Sequence, residues 1–296
     1  MEPVCFLLLE KQVIVIVYLA LAVLSSALIS VIMRLSSDRV KNNLSMLAMN
    51  YLTCMIMAGL FVGSFWKLFP QSPQLPSALG MGAVHGVLYL LSFMLFQYNV
   101  KKNGVVLSSV FMKLGLLVPM VVSILIFGEK PTLLQIVGFV VAVIAILIIN
   151  FEPQKDEEKG KQGVGLVVLL LAGGAADGMS KVYEETGQRE LSSQFLFYTF
   201  VVAFVLCVVL VIIRKQRIGK NEVLYGCLIG IPNFFSAKFL LASLGTVPAV
   251  IAYPTFSVAT ILVVTLSGVV IFRERLSLRQ SMALAMILGA LVMLNI

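Results

Sequence analysis

Apolar residues follow one another in long unbroken runs, without the two-residue alternation of a half-buried strand. Each run has about 18–24 residues, the length at which a helix crosses the roughly 30 Å hydrocarbon core of a bilayer. Every backbone N–H and C=O group inside a bilayer must be paired within the protein, so the runs predict helices. The ten predicted membrane helices cover residues 13–33, 44–63, 78–98, 105–126, 133–150, 164–182, 195–213, 222–242, 248–271 and 277–295.

The composition agrees with this pattern. The chain has 296 residues, of which 60% are apolar and 12% are charged, whereas a soluble domain is about half apolar and a quarter charged. Ten helices of about 21 residues each leave no room for an additional soluble domain. The sequence therefore predicts an all-α polytopic membrane protein with ten transmembrane helices.

Charge and cysteine spacing exclude several other classes of protein. The net charge of +8 comes mainly from basic residues in short loops, which favours contact with a membrane surface over nucleic-acid binding. The cysteines lie in apolar surroundings without CxxC or Cys/His spacing, so neither a disulfide framework nor a metal site is expected. No Walker-type GxxxxGK[ST] motif is present, and no cofactor is predicted. The four cysteines are Cys5, Cys54, Cys207 and Cys227.

The chain divides at its most charged stretch, residues 152–162. We predict a first five-helix unit at residues 1–151, a charged linker at 152–163 and a second unit at 164–296. Superposing residues 105–150 on 250–295 matches Glu129 with Glu274 and Gln135 with Gln280. The two units therefore resemble internal repeats. Because each unit has an odd number of helices, the second would be inverted in the membrane, as in many secondary transporters.

Helices 3 and 8 carry the same pair of small residues. Gly82 and Gly86 in the first unit correspond to Gly226 and Gly230 in the second. A Gly-x-x-x-Gly pair lets two membrane helices approach closely, because no side chain separates their backbones. The pattern predicts one close helix–helix contact for each repeat.

Short motifs at the helix ends carry a family resemblance. Helices 4 and 9 end in Phe-x-Glu, and helices 5 and 10 open with a glutamine. These residues are Phe127, Glu129 and Gln135 in the first unit and Phe272, Glu274 and Gln280 in the second. With the five-plus-five duplication, the chain resembles the EamA branch of the drug/metabolite transporter superfamily. The glycine that this family often has three residues after the glutamine is present as Gly138 but replaced by Ala283.

The resemblance implies a fold in which helices 1–4 and 6–9 enclose a central cavity, while helices 5 and 10 lie at the periphery. It also implies transport of small metabolites without ATP hydrolysis. The residues add their own indication, since helices 3, 4, 8 and 9 carry most of the intramembrane polar side chains and helices 5 and 10 carry few. We therefore expect the transport path to run between helices 3, 4, 8 and 9.

Charged side chains inside membrane helices are costly, so each is a candidate for substrate binding. Lys113 lies in helix 4, where Pro119 cannot donate a hydrogen bond to the carbonyl of Gly115 and loosens the helix. Lys238 lies in helix 8; both lysines could instead extend their ammonium groups to the interface. Asp177 in helix 6 either faces the cavity or forms an i,i+4 pair with Lys181.

Uncharged polar residues complete the candidate site. His85 is the only histidine and serves either as a packing residue or as a proton relay. Asn50, Tyr89, Asn233 and Tyr253 are candidate cavity walls, although each tyrosine could equally pack between helices or lie at the interface. Glu129 and Glu274 are expected to cap the start of helices 5 and 10, where negative charge suits the helix dipole.

These residues favour a secondary transporter over two other classes. An intramembrane aspartyl protease needs two membrane aspartates, but of Asp38, Asp156 and Asp177 only the last lies in a predicted helix. No HExxH zinc site or GxSxG motif is present, so an enzyme is not predicted. A purely structural protein would not need buried Lys113 and Asp177.

The expected substrate is a small polar metabolite with an anionic group, because Lys113 and Lys238 lack an obvious acidic partner in the sequence. The alternative is export of cationic or neutral aromatic, drug-like compounds, recognised by Asp177 and aromatic rings. The predicted partners are the lipid bilayer and the small-molecule substrate, with no nucleic acid. Coupling to protons or other ions stays open, and a homodimer is compatible with the sequence.

The loops indicate an orientation. Most Lys and Arg residues lie in the loops that join helices 1–2, 3–4, 5–6, 7–8 and 9–10. Positively charged loops stay on the cytoplasmic side, so both termini are predicted to be non-cytoplasmic. The expected location is a bacterial plasma membrane.

Overall fold

The computed structural model describes residues 2–36, 39–63, 65–103, 108, 111–112, 114–150, 163–273 and 278–296. These residues form ten α-helices and two short 3₁₀ helices, with no strand, so the all-α prediction is confirmed for the described part of the chain. The α-helices are α1 Glu2–Ser36, α2 Asn43–Val62, α3 Leu75–Asn103, α4 Leu117–Leu125, α5 Leu133–Asn150, α6 Gly163–Thr186, α7 Ser192–Ile213, α8 Lys220–Leu244, α9 Ala249–Phe272 and α10 Leu278–Asn295. The 3₁₀ helices are Phe65–Leu68 and Arg189–Leu191.

Seven described helices are long and apolar enough to cross a bilayer: α1, α2, α3, α6, α7, α8 and α9. Apolar stretches of α5 and α10 are shorter, and the fourth predicted span falls partly outside the described residues. Large apolar side chains point outward, among them Leu133 and Leu278, which are 77% and 81% exposed. A surface of this kind suits lipid rather than water. The chain is therefore a polytopic membrane protein.

The start of α4 is irregular, as its sequence predicts. Residues Gly115 and Leu116 form a turn, and the carbonyl of Gly115 accepts a hydrogen bond from the N–H of Val118 at 2.9 Å. Pro119, which would be the regular i+4 donor, has no N–H. The turn also brings Gly115 against Gly174 of α6, where a Cβ on Gly174 would lie 2.4 Å from the Gly115 carbonyl oxygen.

Close packing joins helices from different parts of the chain. Within the described residues, α1 packs on α8 and α9, α2 on α7 and α8, α3 on α6 and α7, α4 on α6 and α9, and α5 on α10 and α9. No pair among α1–α5 packs comparably with one another in these residues. The first five helices are therefore held in place by the last five.

Glycines set the closest of these contacts. A Cβ on Gly82 would lie 2.9 Å from the carbonyl oxygen of Phe195, and one on Gly86 would lie 2.4 Å from that of Thr199. These distances leave no space for a side chain, so α3 and α7 touch through their backbones.

The same arrangement occurs between α8 and α2. A Cβ on Gly226 would lie 2.6 Å from the carbonyl oxygen of Met46, and one on Gly230 would lie 2.7 Å from that of Asn50. The predicted close approach is therefore found for both Gly-x-x-x-Gly pairs, each against a helix of the other half.

Candidate central cavity

A cavity of about 270 Å³ lies between α1, α2, α3, α6 and α8. Ile29 and Met33 line it from the end of α1, and Met46 lines it from the start of α2. It therefore extends towards the end of the bundle where α1 ends and α2 begins, the α1–α2 end. Among the described residues, its polar lining consists of one carboxylate, two carboxamides, one hydroxyl and two phenols, from Asp177, Asn50, Asn233, Ser92, Tyr51 and Tyr89.

Two carboxamides form one wall of the cavity. The Nδ2 group of Asn233 donates a hydrogen bond to Oδ1 of Asn50 at 3.2 Å. The thiol of Cys54 donates to the carbonyl of Gly230 at 3.2 Å, and it also lies 3.7 Å from Asn50 Oδ1. Pro232, inside α8, precedes Asn233 and removes one backbone donor at this level. The pair is held at a contact between α2 and α8, which fixes its orientation.

Asp177 lies on the opposite wall, on α6. The small residues Gly173 and Ala176 line the cavity beside it and leave room for a ligand. The hydroxyl of Tyr253 donates a 2.6 Å hydrogen bond to the backbone carbonyl of Asp177. Tyr253 itself is buried and does not line the cavity. It supports the segment of α6 that presents the carboxylate.

His85 is packed between helices rather than facing the cavity. Its ring stacks on Phe195 with centroids 5.2 Å apart and meets Tyr89 edge-on at 4.8 Å. Its two ring nitrogens lie within hydrogen-bond distance of Ser180 and Thr199, at 3.4 and 3.3 Å. In this state of the protein His85 matches the packing alternative of the sequence analysis.

Lys238 lies away from the central cavity. It lines a second cavity of about 220 Å³, between the end of α6, the start of α7 and the end of α8. Its Nζ lies 3.3 Å from the ring centroid of Phe61 and 5.8 Å from that of Phe234. Lys113 lies outside the described residues, although Met112 beside it lines the central cavity.

Lys181 has other partners than the expected Asp177. Its Nζ lies 2.9 Å from Glu129 and 3.4 Å from Glu184, and it also pairs with Glu185 at 2.5 Å. Of the two alternatives for Asp177, the structure has the cavity-facing one, because Lys181 extends towards the end of α6, where three carboxylates converge.

Glu129 caps a helix, but not the predicted one. Its two carboxylate oxygens accept hydrogen bonds at 3.0 Å from the N–H groups of Ala249 and Val250, at the start of α9. Burial raises the pKa of the Glu129 carboxyl, but the hydrogen bonds from Lys181 and from the start of α9 outweigh it and lower the pKa below its usual value. The expected capping of helix 5 is replaced by capping of α9, whereas Glu274 lies outside the described residues.

The structure brings together Asn50, Tyr89, Asp177 and Asn233 of the residues predicted for the site. Helices α1 and α6 contribute more of the lining than the sequence analysis predicted. Ile29 and Met33 are apolar, and Gly173 and Ala176 are small, so a search for polar residues in membrane helices did not find them. α9 reaches the site only through the Tyr253 hydrogen bond. No described residue of α5 or α10 lines either cavity.

The fold and cavity define an integral membrane protein with a ligand-sized space between its helices. The sequence matches the EamA-like transporter family over residues 13–151 and 165–296. The chain belongs to this family, so it is a membrane transporter of the drug/metabolite transporter superfamily.

Two further comparisons cover nearly the whole chain. An uncharacterised protein of Haemophilus influenzae is 25% identical over 272 residues, covering 88% of this chain and 90% of that protein. A protein of known crystal structure superposes with a TM-score of 0.71 and 16% identity, covering 94% of each chain. At this identity the second comparison shows the fold alone.

Proposed function

We propose that the chain is a secondary transporter that moves a small organic molecule by alternating access between two inverted five-helix repeats. The central cavity carries this proposal, because helices of both halves place polar groups around one ligand-sized space. We further propose that the ten helices all cross a bacterial plasma membrane, with the α1–α2 end in the cytoplasm. Arg39, Lys41, Arg214 and Arg217 near this end support that orientation.

The exchange of helix contacts supports the inverted repeat. Three packing pairs have a counterpart when every helix is replaced by the one five places away: α1 with α8 and α6 with α3, α2 with α8 and α7 with α3, α1 with α9 and α6 with α4. An approximate two-fold axis in the membrane plane would produce this pattern.

The described lining favours a cationic or neutral substrate with an apolar or aromatic body. Asp177 offers a carboxylate, Asn50 and Asn233 offer both donors and acceptors, and Tyr51 and Tyr89 offer aromatic surface. Lys238 does not support an anionic substrate in the central cavity, because it lines the second cavity. Lys113 still supports an anionic substrate, because it follows the lining residue Met112 in the sequence.

Flux measurements in proteoliposomes can decide between the two substrate classes. A panel of organic amines, neutral aromatic compounds and carboxylates would be compared in wild type, Asp177→Asn and Lys113→Gln. We expect Asp177→Asn to reduce amine flux by at least about tenfold, because a charge-assisted contact is lost in a site shielded from water. Glu190→Gln is the matched control, since this exposed acid lines neither cavity.

The outcomes separate the hypotheses. Loss of carboxylate flux in Lys113→Gln, with Asp177→Asn unaffected, would establish the anionic substrate instead. If folded, reconstituted wild-type protein transports no compound of the panel, that result would contradict the assignment of this cavity as a substrate site.

A further inference from the structure

The glycine contacts relate positions in the two halves. Gly82 meets the carbonyl of Phe195 as Gly226 meets that of Met46, and Gly86 meets that of Thr199 as Gly230 meets that of Asn50. Residues of α3 thus correspond to residues 144 positions later in α8 (Gly82 to Gly226), and residues of α2 to residues 149 positions later in α7 (Asn50 to Thr199). Both contacts give the same two shifts, so the correspondence is fixed along about one turn of each helix.

The central cavity is lined by only one member of several corresponding pairs. Leu47 and Asn50 of α2 line it, and they correspond to Leu196 and Thr199 of α7, which do not. Ile229 of α8 also lines it. Its counterpart in α3 is His85.

The counterparts are packed together instead of lining the central cavity. Thr199 is 0% exposed and His85 is 1% exposed, with Thr199 Oγ1 3.3 Å from His85 Nδ1. Phe195 stacks on His85 and also on Tyr183, with centroids 5.2 and 4.0 Å apart. At the pairs Asn50/Thr199 and Ile229/His85, one position is therefore open to the central cavity and its equivalent is closed, whereas Tyr89 and its counterpart Asn233 both line it.

A residual space remains on the closed side. Leu196, the counterpart of the cavity residue Leu47, lines the second cavity together with Ser193 and Lys238. This cavity lies at the end of the bundle where α6 ends and α7 begins, the α6–α7 end. The lysine has only ring contacts among the described residues, and two described serine hydroxyls, those of Ser192 and Ser193, lie beside it.

From these relationships we propose that the second cavity is the closed counterpart of the central cavity, and that His85 and Thr199 line the transport path when the chain opens at the α6–α7 end. This inference rests on the proposed alternating-access function. It assigns substrate contact to an imidazole and a hydroxyl where the other half has Ile229 and Asn50. The substrate thus meets different groups at the two ends of its path.

Ion pairs close this end in the present state. Lys181 joins α6 to Glu129, which holds the start of α9. Arg189 joins Glu184 to the carbonyl of Gly245, at 3.2 and 2.9 Å, and so ties the α6–α7 connection to the end of α8. Breaking one of these ties should favour the state that is open at the α6–α7 end. The ties stabilise only the present, closed state, so their loss shifts the population away from it.

Single-cysteine labelling tests the inference in the full-length protein. On a background without the four native cysteines, Thr199→Cys is exposed to a membrane-impermeant maleimide added at the α6–α7 side. Ala142→Cys is the matched control, because Ala142 is about as buried as Thr199 but lies in the apolar packing between α5 and α10. Asn50→Cys, labelled from the α1–α2 side, reports on the central cavity itself.

We expect Thr199→Cys to react slowly and to react about tenfold faster when Arg189→Gln is added, while Ala142→Cys stays unreactive in both backgrounds. Arg189 is largely exposed, so this second change is compatible with folding. A second variant, Glu129→Gln, should accelerate labelling in the same way.

The inference would be overturned if Thr199→Cys stays as unreactive as Ala142→Cys in every background while Asn50→Cys reacts. The proposed role of the central cavity would be unaffected by that result. Equal acceleration of both buried cysteines would also overturn it, since general loosening would then explain the result. Failure of Asn50→Cys to react would instead overturn the proposed function on which the inference rests.

Discussion

The ammonium group of Lys181 lies 2.9 Å from the carboxylate of Glu129. The lysine comes from the last turns of α6 and the glutamate from the connection between α4 and α5, and the glutamate oxygens also hold the first N–H groups of α9. Only 2% of the lysine side chain is exposed. One buried charge pair therefore connects three elements that are far apart in the sequence.

Replacing this lysine should destabilise the protein strongly. Lys181→Met would leave Glu129 and Glu184 without their shared cation in a poorly solvated position, a loss on the order of 3 kcal/mol in the free energy of unfolding. Thermal denaturation in detergent would show a Tm several degrees lower. Lys238→Met is the control, because the Lys238 ammonium contacts only rings among the described residues. Equal losses in the two variants would contradict the role of the ion pair.

Acidification should weaken the same contact. The pKa of Glu129 in the folded protein lies below its ordinary value of 4.5. The contribution of the ionised carboxylate is therefore complete above about pH 4.5, and it is lost as the pH falls through the lower folded value. The Tm difference between wild type and Glu129→Gln should be largest at neutral pH and should shrink as the pH falls below 4.5. A difference that grows on acidification would have the wrong sign.

Gly86 should not tolerate a side chain. A Cβ there would lie 2.4 Å from the carbonyl oxygen of Thr199 and 3.0 Å from the Cβ of Val202. Gly86→Ala would force α3 and α7 apart and lower the free energy of unfolding by roughly 1–3 kcal/mol. Gly80→Ala on the same helix meets no atom within 4 Å, so it should be neutral or slightly stabilising. The two variants are compared by thermal denaturation, and similar values would argue against a close backbone contact.

The charge distribution predicts the orientation of the chain. A C-terminal reporter that is active only in the cytoplasm should give little signal, because Arg214, Lys215 and Arg217 near the α7–α8 connection favour a cytoplasmic position for the opposite end. A reporter inserted in that connection should be active. Strong activity at the C-terminus would reverse the orientation and, with it, the side to which the central cavity opens.

The helices could be predicted because membrane insertion leaves a strong local signal. Every long apolar run in the described residues became a helix, and the irregularity at Gly115 followed from the missing N–H of Pro119. The beginning of α1 at Glu2 did not follow, since its first residues include Glu10 and Lys11. The Gly-x-x-x-Gly pairs predicted close contacts, but small residues do not identify the helix they contact.

The site was harder to predict because polarity does not determine direction. Asn233 and Lys238 are five residues apart on α8, which at 3.6 residues per turn places them on different faces. The asparagine lines the central cavity and the lysine lines the second one. Lys181 likewise has acidic residues four positions away on either side, and it pairs with Glu185 but not with Asp177; its third partner besides Glu184, Glu129, is distant in the sequence. These outcomes depend on tertiary packing.

The dependence of α1–α5 on α6–α10 has a consequence for how the protein is made. Synthesis delivers the first five helices to the membrane before their packing partners exist. Gly82 and Gly86 of α3 and Asn50 of α2 must therefore first contact lipid or the insertion machinery. Assembly can then be completed only after α8, α9 and α10 emerge, at the end of translation.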